Sequence, residues 1–162
     1  METFDPLLDQ RAFRAALSAY ATGVTVVTTD SADGPIGITA NSFASVSLDP
    51  PLVLWSPAKS SKRFKYFTGA KHFGIHVLDG HQQQLCDDFT RDKSAFDGLD
   101  WAANKDGVPL INGCLARFEC ILNTEHNAGD HTIIVGQVMG ASTREGIPVS
   151  YTHLRAHETH DD

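Results

Sequence analysis

The spacing of apolar positions changes several times along the chain, and each change predicts an element. Over residues 9–21, Phe13, Ala16, Leu17 and Tyr20 recur at three-to-four spacing. That period predicts an amphipathic helix, with Asp9 as its N-terminal cap and Gly23 as a left-handed stop. Residues 24–29 are β-branched almost throughout and predict a strand, ended by the turn Asp30-Ser31-Ala32-Asp33-Gly34. A second strand begins near Ile36. Residues 51–55 form a short buried strand, and Pro50-Pro51 before it cannot donate to a ladder. Ser60 or Ser61 predicts the start of a helix through about Phe67, with Gly69 after its end. Residues 73–78 read as a strand, and Asp79-Gly80 turns the chain into a helix over about 82–89. Residues 91–107 are polar and irregular, broken by Gly98 and Gly107. Two long strands follow, about 114–124 and 131–141, joined by a loop over 125–130.

Many strands, few helices and frequent short turns predict a mainly β fold with peripheral helices, arranged as a barrel. Regular strand–helix alternation is absent, and no Gly-x-Gly-x-x-Gly follows a strand, which argues against a doubly wound dinucleotide fold. No internal repeat is visible.

Composition narrows the function classes. The 162 residues suit one domain, and an apolar share of 41% suits a packed core. A formal charge of −7 argues against a duplex nucleic-acid binder. A local cluster, Lys59, Lys62, Arg63 and Lys65, can nevertheless meet the phosphate of a small cofactor. Cys86, Cys114 and Cys120 are odd in number and have no Cys-x-x-Cys spacing, so they read as free, buried thiols. Cys114 and Cys120 share parity on one predicted strand. No apolar run reaches the length of a membrane span, and Met1-Glu2-Thr3-Phe4-Asp5 lacks the pattern of a signal peptide. The expectation is a cytoplasmic protein with no membrane and no nucleic-acid partner.

Three stretches carry candidate chemistry. Gly129-Asp130-His131 opens the apolar, β-branched strand Thr132-Ile133-Ile134-Val135, so a carboxylate and an imidazole sit at its mouth. The run Thr39-Ala40-Asn41-Ser42-Phe43 offers small residues, polar side chains and accessible backbone at a strand end. Lys59-Ser60-Ser61 stands where a helix is predicted to begin, and a helix N-terminus with added hydroxyl and ammonium donors suits a phosphate. The plainer alternative there is a serine cap beside a solvated lysine.

With these motifs in this order, residues 37–51 and 129–138 above all, the chain resembles the short-chain flavin reductase family, from about Phe13 to about Pro148. The resemblance implies a split β-barrel of the flavin reductase-like, FMN-binding kind. It implies an NAD(P)H-dependent reductase passing hydride to FMN or FAD and supplying reduced flavin to a partner monooxygenase. Free flavin and NADH or NADPH are then its small-molecule partners, and a homodimer with flavin near the subunit interface is implied. Thr39, Ala40, Asn41, Ser42 and Phe43 would lie along the isoalloxazine, with Ser45, Val46 and Ser47 continuing the contact. Lys59, Ser60, Ser61 and Lys62 would hold the flavin phosphate, and Asp88 and Phe89 would close over the ring. Family members carry a Phe followed by an Asp-Lys-Phe run here; two extra residues in Asp92-Lys93-Ser94-Ala95-Phe96 displace Lys93 and Phe96 from that role. His131 would stand near the nicotinamide, with Asp130 orienting it or capping the turn. Hydride passes directly between rings, so the role expected of His131 is positional.

Two rivals share the barrel: a flavoprotein that retains its flavin and reduces another acceptor, and a non-enzymatic flavin- or heme-binding protein. Residues 1–148 are read as the domain. Residues 149–162 depart from the family and read as an atypical, possibly non-native tail. His153, His157 and His160 have helical metal-ligand spacing, but no upstream carboxylate or cysteine pattern completes a site, so no metal is expected.

Overall fold

The computed structural model describes residues 1–20, 22–92 and 95–147. Five of its strands are β1 (Thr25–Thr29), β2 (Ile36–Ala40), β3 (Ala44–Leu48), β4 (Pro51–Trp55) and β5 (His72–Val77). After them come a short pair, β6 (Trp101–Ala103) and β7 (Pro109–Ile111), and a long one, β8 (Ala116–Ala128) and β9 (His131–Thr143). The long strands build one antiparallel sheet in the order β2-β1-β5-β8-β9-β4-β3, while β6 and β7 pair by themselves. β1 pairs with β2 on one side and β5 on the other, and every one of its residues is buried. That is why it reads as a continuous apolar and threonine run instead of an alternation.

The two edge strands, β2 and β3, are joined by only three residues, Asn41, Ser42 and Phe43. Three residues span at most about 10–11 Å. The two ends of a seven-strand order therefore come close in space, and the sheet must roll up. The edges are not paired with each other, so the barrel stays split at this seam. Phe43 reaches across and stacks on Phe118 of β8, ring centroids 5.6 Å apart. The fold is the mainly β split barrel that the sequence led us to expect.

Among the described residues, two apolar clusters fill it. Trp55, Phe67 and Phe73 centre one, with Trp55 edge-on to Phe67 at 5.1 Å. The other lies under α3 (Gln83–Arg91), where Phe89 and Phe96 meet edge-on at 5.0 Å and Trp101 packs against Phe96. Each large apolar side chain removed from water in this way contributes about 1.5–3 kcal/mol. Helix α3 follows a 3₁₀ turn, Gly80–Gln82, at which Asp79 and Gln82 form a reciprocal capping box.

Several elements differ from the sequence reading. Helix α1 (Gln10–Ser18) does start at Asp9, whose carboxylate accepts from the N–H of Ala12 at 3.0 Å. It ends at Ala19 in right-handed geometry, and Gly23 has no positive φ, so Gly23 is not its stop. β3, β6 and β7 were not anticipated. The helix expected from Ser60 or Ser61 is a single turn, α2 (Phe64–Phe67), and Ser60 and Ser61 lie before it. The loop expected over 125–130 is mostly strand: β8 runs to Ala128 and reverses at Gly129-Asp130, with Gly129 at φ +69°. Only glycine takes that backbone geometry freely. Cys114 precedes β8, so the two cysteines do not share one strand; the register shift beside Cys120 puts its extra residue, Met139, on β9. All three thiols are free and buried; burial, helped by Glu119, pushes Cys120 up to about 12. The tail read as atypical, with its three histidines, lies outside the described residues.

Candidate functional site

The mouth of the split barrel gathers three of the sequence motifs on one hydrogen-bonded frame. Ser42, in the seam turn, accepts the N–H of Ser56 at 2.8 Å, which fixes that turn to the end of β4. The chain continues through Pro57, Ala58 and Lys59 alongside the start of β9. The N–H of Thr132 donates to the carbonyl of Pro57 at 3.1 Å, Ala58 bridges His131, and the N–H of Lys59 donates to the carbonyl of Asp130 at 2.9 Å. Lys59 and the Asp130-His131 turn are thus parts of one rigid unit.

At that turn Asp130 Oδ1 lies 2.8 Å from His131 Nδ1, an ion pair when the ring is protonated. The contact assigns a proton to Nδ1, since a carboxylate only accepts. The hydrogen bond from His131, then its charge and that of Lys59, hold the Asp130 carboxyl below the usual carboxylate range. The His131 side chain is 45% exposed, open to a ligand while its Nδ1 edge is held.

Beside this frame runs a cleft of about 740 Å³. One wall is Ser60, Ser61, Lys62, Arg63, Lys65 and Tyr66; the other is Thr90, Arg91 and Asp92. Among the described residues, four cations face a single carboxylate there, in a chain of net charge −7. Low-dielectric walls concentrate such a field, and the hydroxyls and N–H groups supply donors, so the lining fits an anion such as a phosphate. Arg63 builds the floor. It is 9% exposed and donates to the carbonyls of Phe89 and Thr90, the latter at 3.0 Å, with a longer contact to Gly37 at 3.5 Å. A cation at the carboxyl end of α3 also opposes the negative end of the helix dipole.

The predicted residues separate into groups. Ser60, Ser61 and Lys62 line the cleft, and Lys59 joins it to His131. They do so from a turn and not from a helix terminus. Ser42 and Phe43 sit at the seam. Asn41, Ser45 and Val46 are exposed, and Ser47 half-buried, along the edge formed by β3. None of the run from Thr39 to Ser47 lines the cleft. Thr39 spends its hydroxyl on the carbonyl of Cys86 at 2.8 Å, and Ala40 accepts from Thr25 at 2.8 Å. Asp88 is partly exposed and accepts from Gln84 at 2.8 Å. Phe89 is fully buried, its ring within the core cluster under α3. Its contribution to the site is its backbone carbonyl, which receives Arg63.

The sequence reading includes Arg63 in a cluster able to meet a phosphate but not its buried place under the cleft, and it misses two participants altogether. Asn127 accepts from the ammonium of Lys59, and Glu125 accepts the N–H of Gly69 at 2.7 Å. Both were placed in a presumed loop, and only the strand geometry of β8 gives them a shared face.

Comparison with known proteins agrees with this architecture. Over 144 residues the chain is 60% identical to the FMN reductase (NADH) SmoA of Agrobacterium fabrum, covering 89% of this chain and 83% of that protein. It is 38% identical over 146 residues to the reductase subunit HsaB of a flavin-dependent monooxygenase from Rhodococcus jostii, covering 89% and 75%. The structure superposes on the NADH:FAD oxidoreductase SgcE6 of Streptomyces globisporus with a TM-score of 0.82 at 39% identity, covering 89% of this chain and 82% of that one. The model of the flavin reductase like domain matches residues 17–159, and the chain belongs to that family.

Proposed function

We propose that this protein is an NAD(P)H:flavin oxidoreductase that passes hydride from reduced nicotinamide to FMN or FAD and releases reduced flavin to a partner monooxygenase. The observation that carries this reading is the frame joining Lys59, beside a cationic cleft, to the half-exposed, carboxylate-held His131. Such a frame can hold two ligands, one by its phosphate and one by its ring, at a fixed spacing. Oriented approach of this kind is worth up to about 7–11 kcal/mol of barrier. Similarity to an FMN reductase, a monooxygenase reductase subunit and an NADH:FAD oxidoreductase supports the same class.

Bound flavin supplies the hydride acceptor, and the residues do the rest. Lys59, Ser60, Ser61 and Lys62 hold the phosphate, and the seam residues Asn41, Ser42 and Phe43 with Ser45, Val46 and Ser47 border the isoalloxazine. His131 positions the nicotinamide: with Nδ1 tied to Asp130, the neutral ring offers Nε2 as an acceptor for the carboxamide N–H. No side chain need remove a proton before hydride moves. A homodimer and a partner oxygenase complete the proposal.

The test is NADH oxidation by purified protein. Turnover that rises with added free FMN or FAD, far beyond one equivalent, supports the reading. Turnover independent of added flavin, with bound flavin co-purifying, would establish instead a flavoprotein that serves another acceptor. No NADH oxidation with either flavin would sink the enzyme reading.

A further inference from the structure

Glu125 and Asn127 stand two residues apart on β8, so their side chains leave the same face of the strand. Each grips one end of the segment that forms the first wall of the cleft. Asn127 accepts from the ammonium of Lys59 at the start, and Glu125 accepts the N–H of Gly69 at the end, 2.7 Å away. Residues 60–66 of the wall lie between these two points. Neither Glu125 nor Asn127 lines the cleft itself.

From this arrangement we infer that Asn127 is a positioning residue for phosphate recognition, acting through Lys59, with Glu125 as its counterpart at the far end of the wall. The inference rests on the proposed role of Lys59. A lysine has three N–H donors. One is spent on Asn127, which leaves two for an anion and fixes the direction in which they point. Lysine is otherwise costly to order, because its stem has several rotatable bonds. Asn127 meets that cost before the ligand arrives, so phosphate binds a lysine already in place. The carboxamide suits the task better than a carboxylate on electrostatic grounds, since it holds the ammonium without neutralising it.

The experiment compares FMN with riboflavin, which has the same ring system and no phosphate, by fluorescence titration of the full chain. Asn127→Ala should weaken FMN roughly two- to tenfold, the range for one immobilised side chain, and leave riboflavin and the melting temperature unchanged. Asn127→Asp keeps the acceptor and should restore ordering of the lysine, recovering much of the FMN affinity. Glu125→Ala should lower FMN affinity in the same selective way, and Glu125→Gln, which can still accept from Gly69, should not. Adding Asn127→Ala to Lys59→Ala should cost nothing further, because the two act as one unit. If Lys59→Ala discriminates FMN from riboflavin but Asn127→Ala does not, the positioning role fails and the phosphate reading stands. If Lys59→Ala weakens FMN and riboflavin equally, the phosphate lies elsewhere and both fail together.

Discussion

His76 and His131 show how one residue type takes opposite work from its surroundings. His76 is wholly buried between backbone groups: Nδ1 is 3.0 Å from the carbonyl of Val26, and Nε2 accepts the N–H of Ile111 at 3.0 Å. That pair of contacts defines a neutral ring with its proton on Nδ1. Burial, opposed by the Val26 contact and aided by Arg117, lowers its pKa to about 4. An unfolded chain takes up that proton near pH 6.5, so between there and about 4 it binds more protons than the folded form. The stability from this group is therefore complete above pH 6.5 and falls by about 3 kcal/mol as pH drops towards 4. Urea titrations across that range should show the loss, and His76→Asn should flatten the slope. An identical slope in the variant would mean that other groups carry the acid sensitivity. His131, by contrast, has its Nδ1 edge held by Asp130 and its side chain 45% exposed. His131→Ala should leave flavin affinity near that of the parent and lower kcat/KM for the nicotinamide by about 1–3 kcal/mol, the worth of one orienting hydrogen bond. Steady-state kinetics at varied NADH would decide it; an unchanged kcat/KM would make His131 structural.

At the scale of elements, what could be read depended on whether the local pattern or a distant partner sets the structure. β1, β4, β5 and the body of β9 have dense apolar or β-branched runs, and the sequence located them closely. β3 did not show itself because Ala44-Ser45-Val46-Ser47-Leu48 is an edge strand, exposed over most of its length and bulged between Ser45 and Ser47. The far half of β8 is polar because it is solvent-facing, and its pairing with β9 keeps it extended where polarity suggested a loop. Phe89 shows the same limit at the site. Its position in the chain allowed a contact with the flavin, but the approach of α3 to β2 turns its ring into the core. That approach depends on Gly37: a Cβ there would lie 2.4 Å from the Phe89 ring. Gly37→Ala should accordingly cost about 1–3 kcal/mol in urea melts, as overpacking does. Phe89→Leu should relieve part of the clash, so the double variant should lose less than the sum of the singles. Strict additivity would show that the ring moves aside freely and that the contact does not fix α3.

The whole molecule sets a field that no single motif reveals. The charge of −7 repels an anion at long range, while Lys62, Arg63, Lys65 and Arg91 around one cleft attract it at contact. Composition alone made nucleic acid unattractive as a partner, and the Lys59–Lys65 stretch already hinted at a small anion. The hint could not include Arg91, which joins from α3 only when the barrel seam and the Arg63 floor bring the two walls together. The two fields respond differently to salt. Net repulsion acts over distances that a Debye length of about 10 Å at 0.1 M cuts off, whereas contact pairs inside a cleft are screened less but do weaken. If phosphate binds in the cleft, raising salt from about 0.01 M to about 0.2 M should weaken equilibrium binding of FMN several-fold and leave riboflavin nearly constant. Association of FMN should slow less than its dissociation accelerates, because screening also removes the long-range repulsion. Stopped-flow mixing at both salt concentrations gives the two rates separately. FMN binding that tightens with salt would mean that the net negative charge governs its encounter and that the cationic cleft is not where its phosphate rests.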